Sequence, residues 1–211
     1  MEAGFLYGRG SNVKEIVFLL EEQSAKALLE TIWPRLISPD ASVRPRFIVF
    51  EGKQDLEKHL TKKLRGYLNQ EARFVVIRDQ DQNDCHKVKE NLTKFCAEAG
   101  RTAIVRIACR ELEAFYLGDL KAVEIGLDIS GLSTMQRSAK FRNPDNLVRP
   151  SYELEKVTKS RYQKVAGSRA IGPHLDLESP GSRSFHHLIH TIRSVTRNIE
   201  AVWTTQAAVL H

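Results

Sequence analysis

The stretch RFVVIRDQD, Arg73 to Asp81, decides how the rest of the chain is read. Phe74, Val75, Val76 and Ile77 form a continuous apolar run, without the alternation of a half-exposed strand. Such a run fits a strand covered on both faces, as in the middle of a parallel sheet. It stops abruptly on acids, Asp79-Gln80-Asp81. Three other stretches have the same apolar character: Val13 to Leu20 (VKEIVFLL), Arg46 to Glu51 (RFIVFE) and Thr102 to Cys109 (TAIVRIAC).

Helical patterns separate them. A first helix is expected from a Ser24 cap through about Trp33, ending before Pro34. A second spans Asp55 to Asn69, with Leu56, Leu60, Leu64 and Leu68 on one stripe. A third spans Asp84 to Ala99, with Val88, Leu92, Phe95 and Ala99 inward and Gly100 just past its end. Another starts at Glu111 and runs to about Leu120. Strands alternating with helices predict an α/β fold with a mostly parallel sheet and right-handed crossovers.

With 211 residues, the chain suits one domain, or one domain with an appendage. Residues 13–126 carry the α/β pattern. Residues 1–12 contain Gly4, Gly8 and Gly10 and no apolar signal core, which predicts a flexible leader and no export. Residues 127–211 change character: Pro144, Pro150, Pro173 and Pro180 punctuate loops and short helices. A closing helix follows from Phe185 to about Val202, capped by Ser182 or Ser184 and packing back on the sheet. Hydrophobic residues at 42% and charged residues at 27% exclude wholesale disorder. No apolar run nears the ~18 residues of a membrane-spanning helix, so no membrane partner is expected. Cys85, Cys96 and Cys109 form no CxxC pair and predict reduced thiols in the cytoplasm.

The net charge of +6 is concentrated between Arg137 and Arg169, where nine cations face three acids. Tyr152 and Tyr162 are interleaved with them. Such a segment suits a polyphosphate backbone, with Lys159, Arg161, Lys164 and Arg169 as candidate nucleic-acid contacts. The plainer alternative is a solvated surface.

In open α/β sheets the site lies beyond the carboxyl ends of the strands. Glu21 and Glu22 leave the first strand, Asp79 and Asp81 the third, and Glu111 and Glu113 follow the fourth. Carboxylates converging from three strand ends are the hard oxygen set that Mg²⁺ or Mn²⁺ requires. Asp79 and Asp81, two residues apart, point the same way if the chain stays extended. Glu21-Glu22 and Glu111/Glu113 also suit the first turns of helices for dipole reasons alone.

This order of a Glu after strand one, Asp-x-Asp after strand three and a later acid resembles the Toprim domain of topoisomerases, primases and OLD-type nucleases. The chain is similar to an uncharacterised bacterial family of Toprim-like proteins, a domain of unknown function often encoded beside an SMC-like or OLD-like ATPase. FLLEEQSA (Phe18 to Ala25), EGKQDL (Glu51 to Leu56), LRGY (Leu64 to Tyr67) and VVIRDQDQNDC (Val75 to Cys85) carry that likeness. So do IACRELEAFYLGD (Ile107 to Asp119), YQK (Tyr162 to Lys164) and RSF (Arg183 to Phe185). The resemblance implies a Toprim-like fold with a basic, largely helical and loop C-terminal extension. It also implies divalent-metal-dependent phosphodiester cleavage. Asp79 and Asp81 would hold one ion and Glu111 and Glu113 share a second. Glu21 would bind metal and serve the attacking water, and Lys164 would neutralise the scissile phosphate. Nucleic acid, DNA in preference to RNA, an ATPase partner and a role in antiphage defence come with the same resemblance. Toprim usually follows its first Glu with Gly, where this chain has Glu22, and carries an acid near the position of Ala25.

Those departures suit a second reading, a non-catalytic nucleic-acid-binding or regulatory subunit with a degenerate site. A receiver-like signalling domain would need a lysine at the end of a fifth strand, and none is found. Gly52-Lys53 lacks P-loop spacing and reads as a strand-to-helix turn. His86, His186, His187 and His190 have neither an HExxH motif nor a cysteine partner and read as surface or packing residues.

Overall fold

A computed structural model describes residues 14–208, with side chains described through Ala201. The expected leader, residues 1–12, lies outside the described residues. β1 (Lys14–Leu20), β2 (Val43–Val49), β3 (Arg73–Asp79) and β4 (Ala103–Ala108) form one sheet in the order β2-β1-β3-β4. All three pairings are parallel. The α/β class expected from the sequence is therefore correct, in an arrangement consistent with a Toprim-like sheet.

Side chains of a strand alternate between faces, and that sorts the core into two. Ile16, Phe18 and Leu20 of β1, with Val75 and Ile77 of β3, pack against Leu28, Leu29 and Ile32 of α1 (Gln23–Leu36). Val17 and Leu19, with Phe74 and Val76, pack on the opposite face. There they meet Leu56, Leu60 and Leu64 of α2 (Lys53–Arg65) and Val88 and Leu92 of α3 (Cys85–Glu98). Full burial of each Leu or Ile stabilises by ~1.5–3 kcal/mol, which is why the central strands carry no polar residue until their ends.

The chain continues through α4 (Glu113–Leu117), α5 (Leu120–Leu127), α6 (Pro150–Val157), α7 (Lys164–Ile171) and α8 (Arg183–Ala208). Leu154, Tyr162, Ile171 and Phe185 join the α1-side core. The extension is thus the outer layer of the first core. Asp119 caps α5 by accepting from the Ala122 amide at 3.0 Å. Ser182, one of the two expected caps, accepts from the Phe185 amide at 3.1 Å at the start of α8. At Gly118, between α4 and α5, an added Cβ would lie 2.7 Å from the Ser182 amide nitrogen. Among the described residues no helix is long and apolar enough to cross a membrane.

Several boundaries differ from the sequence reading. α1 runs on to Leu36 with Pro34 inside its last turn, and the Ile37 amide still closes on Trp33 O at 3.0 Å. Glu22, not Ser24, occupies the cap position, and the Ser24 hydroxyl donates to the Glu22 carboxylate. β2 starts at Val43 and takes in Pro45, because it is an edge strand paired only with β1. Proline is tolerated there, since it removes a donor that no second neighbour needs. α2 ends at Arg65, so Leu68 leaves the apolar stripe and is 92% exposed. In α3, Phe95 is half-buried and Cys96 fills the buried position. Gly100 takes φ +70° just after the Ala99 cap, the left-handed conformation expected of it.

Candidate active site at the carboxyl edge of the sheet

β1 and β3 are neighbours, while the chain leaves β1 for β2 and only then returns to β3. This is the point where the strand order reverses, the place where open α/β sheets form a crevice. Glu21, Glu22 and Asp79 stand at its lip. Strand alternation then divides the charged groups. Asp79 follows Val75 and Ile77 on the α1 side, and Arg78 follows Phe74 and Val76 on the α2 side.

On the α1 side, Asp79, Glu22 and Glu113 gather around Lys164. Lys164 Nζ, at the start of α7, lies 3.0 Å from Glu22 Oε2. Glu113, on the first turn of α4, is fully buried. Its Oε1 accepts from the Tyr162 hydroxyl at 3.1 Å, and its Oε2 has no hydrogen-bond partner. Tyr162 is held against Gly167 of α7, where an added Cβ would come within 2.4 Å of its ring. Beside it the Tyr116 hydroxyl donates to Ser168 Oγ at 2.7 Å, and Ser168 in turn donates to Lys164 O at 2.7 Å. α7 is thereby locked to α4 through buried polar contacts, which fixes where the Lys164 ammonium stands.

On the α2 side, Glu21 Oε2 accepts from the Asp79 amide at 3.0 Å, bridging the two strand ends. Buried Arg78 reaches Glu57 at 3.3 Å and approaches Glu21 at 3.9 Å. Its Nε has no hydrogen-bond partner. Lys53 Nζ pairs with Asp81 at 2.8 Å, after Gly52 has turned the chain at φ +100°.

These neighbours set the acidities. Burial, reinforced by Glu113, Glu22 and Glu21, holds the Asp79 carboxyl well above its ordinary range, against the pull of Lys164. Burial likewise raises Glu113, with Lys164 opposing. Burial raises Glu21 too, although its bond from the Asp79 amide works the other way. For Lys164 burial alone would lower the pKa, but Glu22, Glu113 and Asp79 outweigh it and raise the ammonium above its usual value.

The structure brings Glu21, Asp79, Glu113 and Lys164 to one edge. Glu111 does not join them. It accepts from the Ser151 amide at 2.6 Å and serves the first turn of α6. Asp81 does not point with Asp79, because the strand ends at Asp79 and Asp81 takes φ +55°. Arg161 turns away to donate to Asp128 O at 2.8 Å. Lys159 is exposed just after α6, and Arg169 is exposed on α7, about 140° around the helix from Lys164. Tyr162 is buried, so it offers no stacking surface. Arg78 was not singled out as a site residue; Glu22 was read among the strand-end carboxylates, and Tyr162 only as an aromatic between cations and through the YQK likeness.

As positioned, no three His, Cys, Asp or Glu side chains among the described residues share one ligation centre. Lys164 meets the charge instead. The donor chemistry nonetheless fits a hard divalent ion: several carboxylates, raised acidities and the unpartnered Glu113 Oε2.

A family model described as a domain of unknown function, DUF4276, matches residues 20–193. The chain belongs to the DUF4276 family. The matched span begins at the end of β1 and closes within α8, so the DUF4276 match contains every residue of the crevice. No curated protein and no solved structure is detectably similar to the chain.

Proposed function

We propose that the crevice hydrolyses phosphodiester bonds of nucleic acid, DNA in preference to RNA, with Mg²⁺ or Mn²⁺. The observation that carries this reading is the crowding of Glu21, Glu22 and Glu113 around Asp79, with raised acidities and one unpartnered buried oxygen. Such a cluster gains more from an added hard cation than from any other ligand. Asp79, Glu22 and Glu113 are the residues to hold it, with Asp81 and Glu21 at the rim. The ion would supply charge stabilisation for the attacking and leaving oxygens. Glu21, held above its ordinary range, takes the proton of the attacking water. Lys164 exchanges Glu22 for a phosphate oxygen and neutralises it, an effect worth a few kcal/mol. A cytoplasmic location, an SMC-like or OLD-like ATPase partner and a role in antiphage defence belong to the same proposal. The partner and the defence role rest on the Toprim resemblance.

One observation favours a non-catalytic reading: the ammonium of Lys164 already sits among the carboxylates. In that reading the site is degenerate and the protein binds nucleic acid or regulates a partner. Plasmid incubation with Mg²⁺ or Mn²⁺ separates the two. Hydrolysis by wild type that disappears in Asp79→Asn supports the nuclease. Binding without cleavage under all metal conditions supports the degenerate site.

A further inference from the structure

The largest run of positive charge in the sequence is partly spent within the fold, through Lys140 with Glu153, Lys164 with Glu22 and Arg161 with a carbonyl. A different set of cations, far apart in sequence, meets at a pocket of about 610 Å³ beside the edge strand β4. Lys89 comes from α3, Arg106 from β4 and Arg183 from the first turn of α8. Val105, Ile107 and the thiols of Cys85 and Cys109 give it an apolar lining.

The cations outnumber the acids three to one. Asp145 is the one carboxylate among the lining residues, and it is already engaged. It accepts from the Ser182 hydroxyl at 2.6 Å, and from the Ser184 amide at 2.8 Å and hydroxyl at 3.2 Å. Among the described residues Arg106 donates only to neutral oxygens, Thr191 Oγ1 at 2.6 Å and Val105 O at 3.3 Å. Burial lowers its pKa with no carboxylate offsetting it. His187, on the same wall, is lowered by burial and then by Arg106 and Arg183, so these groups share one positive field. The first turns of α3 and α8 both border the pocket, with Asp84 capping α3 through the Lys87 amide and Asp145 capping α8 through the Ser184 amide, so the positive field comes from the side chains.

Position adds to charge. Ala108 pairs with Asp79, and the next residue, Cys109, lines the pocket. The pocket therefore flanks the carboxylate crevice at the same end of the sheet. Its volume lies in the range of small-ligand sites, ~300–1,000 Å³.

We infer that this pocket binds a phosphate group, as part of a nucleotide or of a nucleic-acid strand, through Arg106, Arg183 and Lys89, with the apolar lining taking the attached sugar or base. The binding needs no divalent ion and is independent of hydrolysis at the crevice.

The test uses the full chain in EDTA at about 50 mM salt. AMP is titrated by calorimetry, and a fluorescein-labelled single-stranded DNA of about 20 nucleotides by anisotropy. The comparison is Lys89→Gln/Arg183→Gln. Both side chains are exposed and make no hydrogen bond or ion pair among the described residues, so the fold is spared. Arg106→Gln is the second variant, with its Tm measured because it loses the Thr191 contact. The double variant is expected to bind about tenfold more weakly or worse, with the salt slope for the single-stranded DNA reduced by about 1.4. AMP binding lost in the variant assigns the pocket to a nucleotide, and DNA binding lost without AMP binding assigns it to a strand. Unchanged affinity and slope in the double variant, or binding of neither probe by wild type, overturns the inference.

Discussion

Replacing Glu113 with glutamine removes one negative charge from the most crowded part of the crevice at nearly constant shape. Glu113 is fully buried, its Oε2 has no partner, and its Oε1 is served by the Tyr162 hydroxyl. A buried acceptor left unsatisfied costs ~1–3 kcal/mol, and more when charged. Lys164 offsets part of this, but its side chain is 55% exposed and its attraction is screened to about 1 kcal/mol or less. Glu113→Gln is therefore expected to stabilise the fold at about pH 8 by ~1–2 kcal/mol, or roughly 2–8 °C in Tm. The folded-state pKa of Glu113 is raised, so the folded protein holds this proton more tightly than the unfolded chain. Stability from that protonated form is present below the ordinary carboxyl pKa, about 4.3, and is lost as pH rises through the raised value. The gain in Glu113→Gln should accordingly be near zero at about pH 4 and grow with pH. Urea unfolding at both pH values measures it. A variant less stable than wild type at pH 8, or an offset that ignores pH, would refute the claim that burial outweighs the lysine.

Three further substitutions probe the same network. Tyr162→Phe removes the hydroxyl that donates to Glu113 Oε1 and should cost ~1–3 kcal/mol at neutral pH and less in acid, read by urea titration. Lys164→Met leaves Glu22, Asp79 and Glu113 facing one another. Allowing for its exposure, it should cost about 1–2 kcal/mol near pH 7 and less in acid, where the raised Asp79 and Glu113 carboxyls are protonated, read from Tm against pH. Gly167→Ala drives a methyl to within 2.4 Å of the buried Tyr162 ring and should destabilise by ~1–3 kcal/mol, with loss of the Tyr162–Glu113 geometry.

The central strands were legible because β1 and β3 are buried on both faces and must be continuously apolar. The start of β2 was not, since an edge strand accepts Arg44 and Pro45, which look like a loop. Asp79 and Asp81 looked equivalent only under the assumption that the strand continued; the left-handed turn at Asp81 breaks the alternation. Glu111 and Glu113 cannot be separated by type or spacing. Two residues at the mouth of a helix point to different sides, and the cap of α6 claims one of them. Tyr162 meets α4, and Lys164 meets Glu22 at the cap of α1, across long stretches of chain, so their partners cannot be read from any local pattern. A charge count sees runs, not pairing. It therefore favoured Arg137 to Arg169 and missed Lys89, Arg106 and Arg183, which only the fold assembles.

The most direct measurement is a calorimetric titration of Mg²⁺ and Mn²⁺ into wild type and Asp79→Asn/Glu113→Gln. The account predicts saturable binding by wild type, with protons released as the raised carboxyls ionise, and none by the double variant. Equal binding by both proteins, or no binding by wild type, would contradict a divalent-ion site built on Asp79 and Glu113.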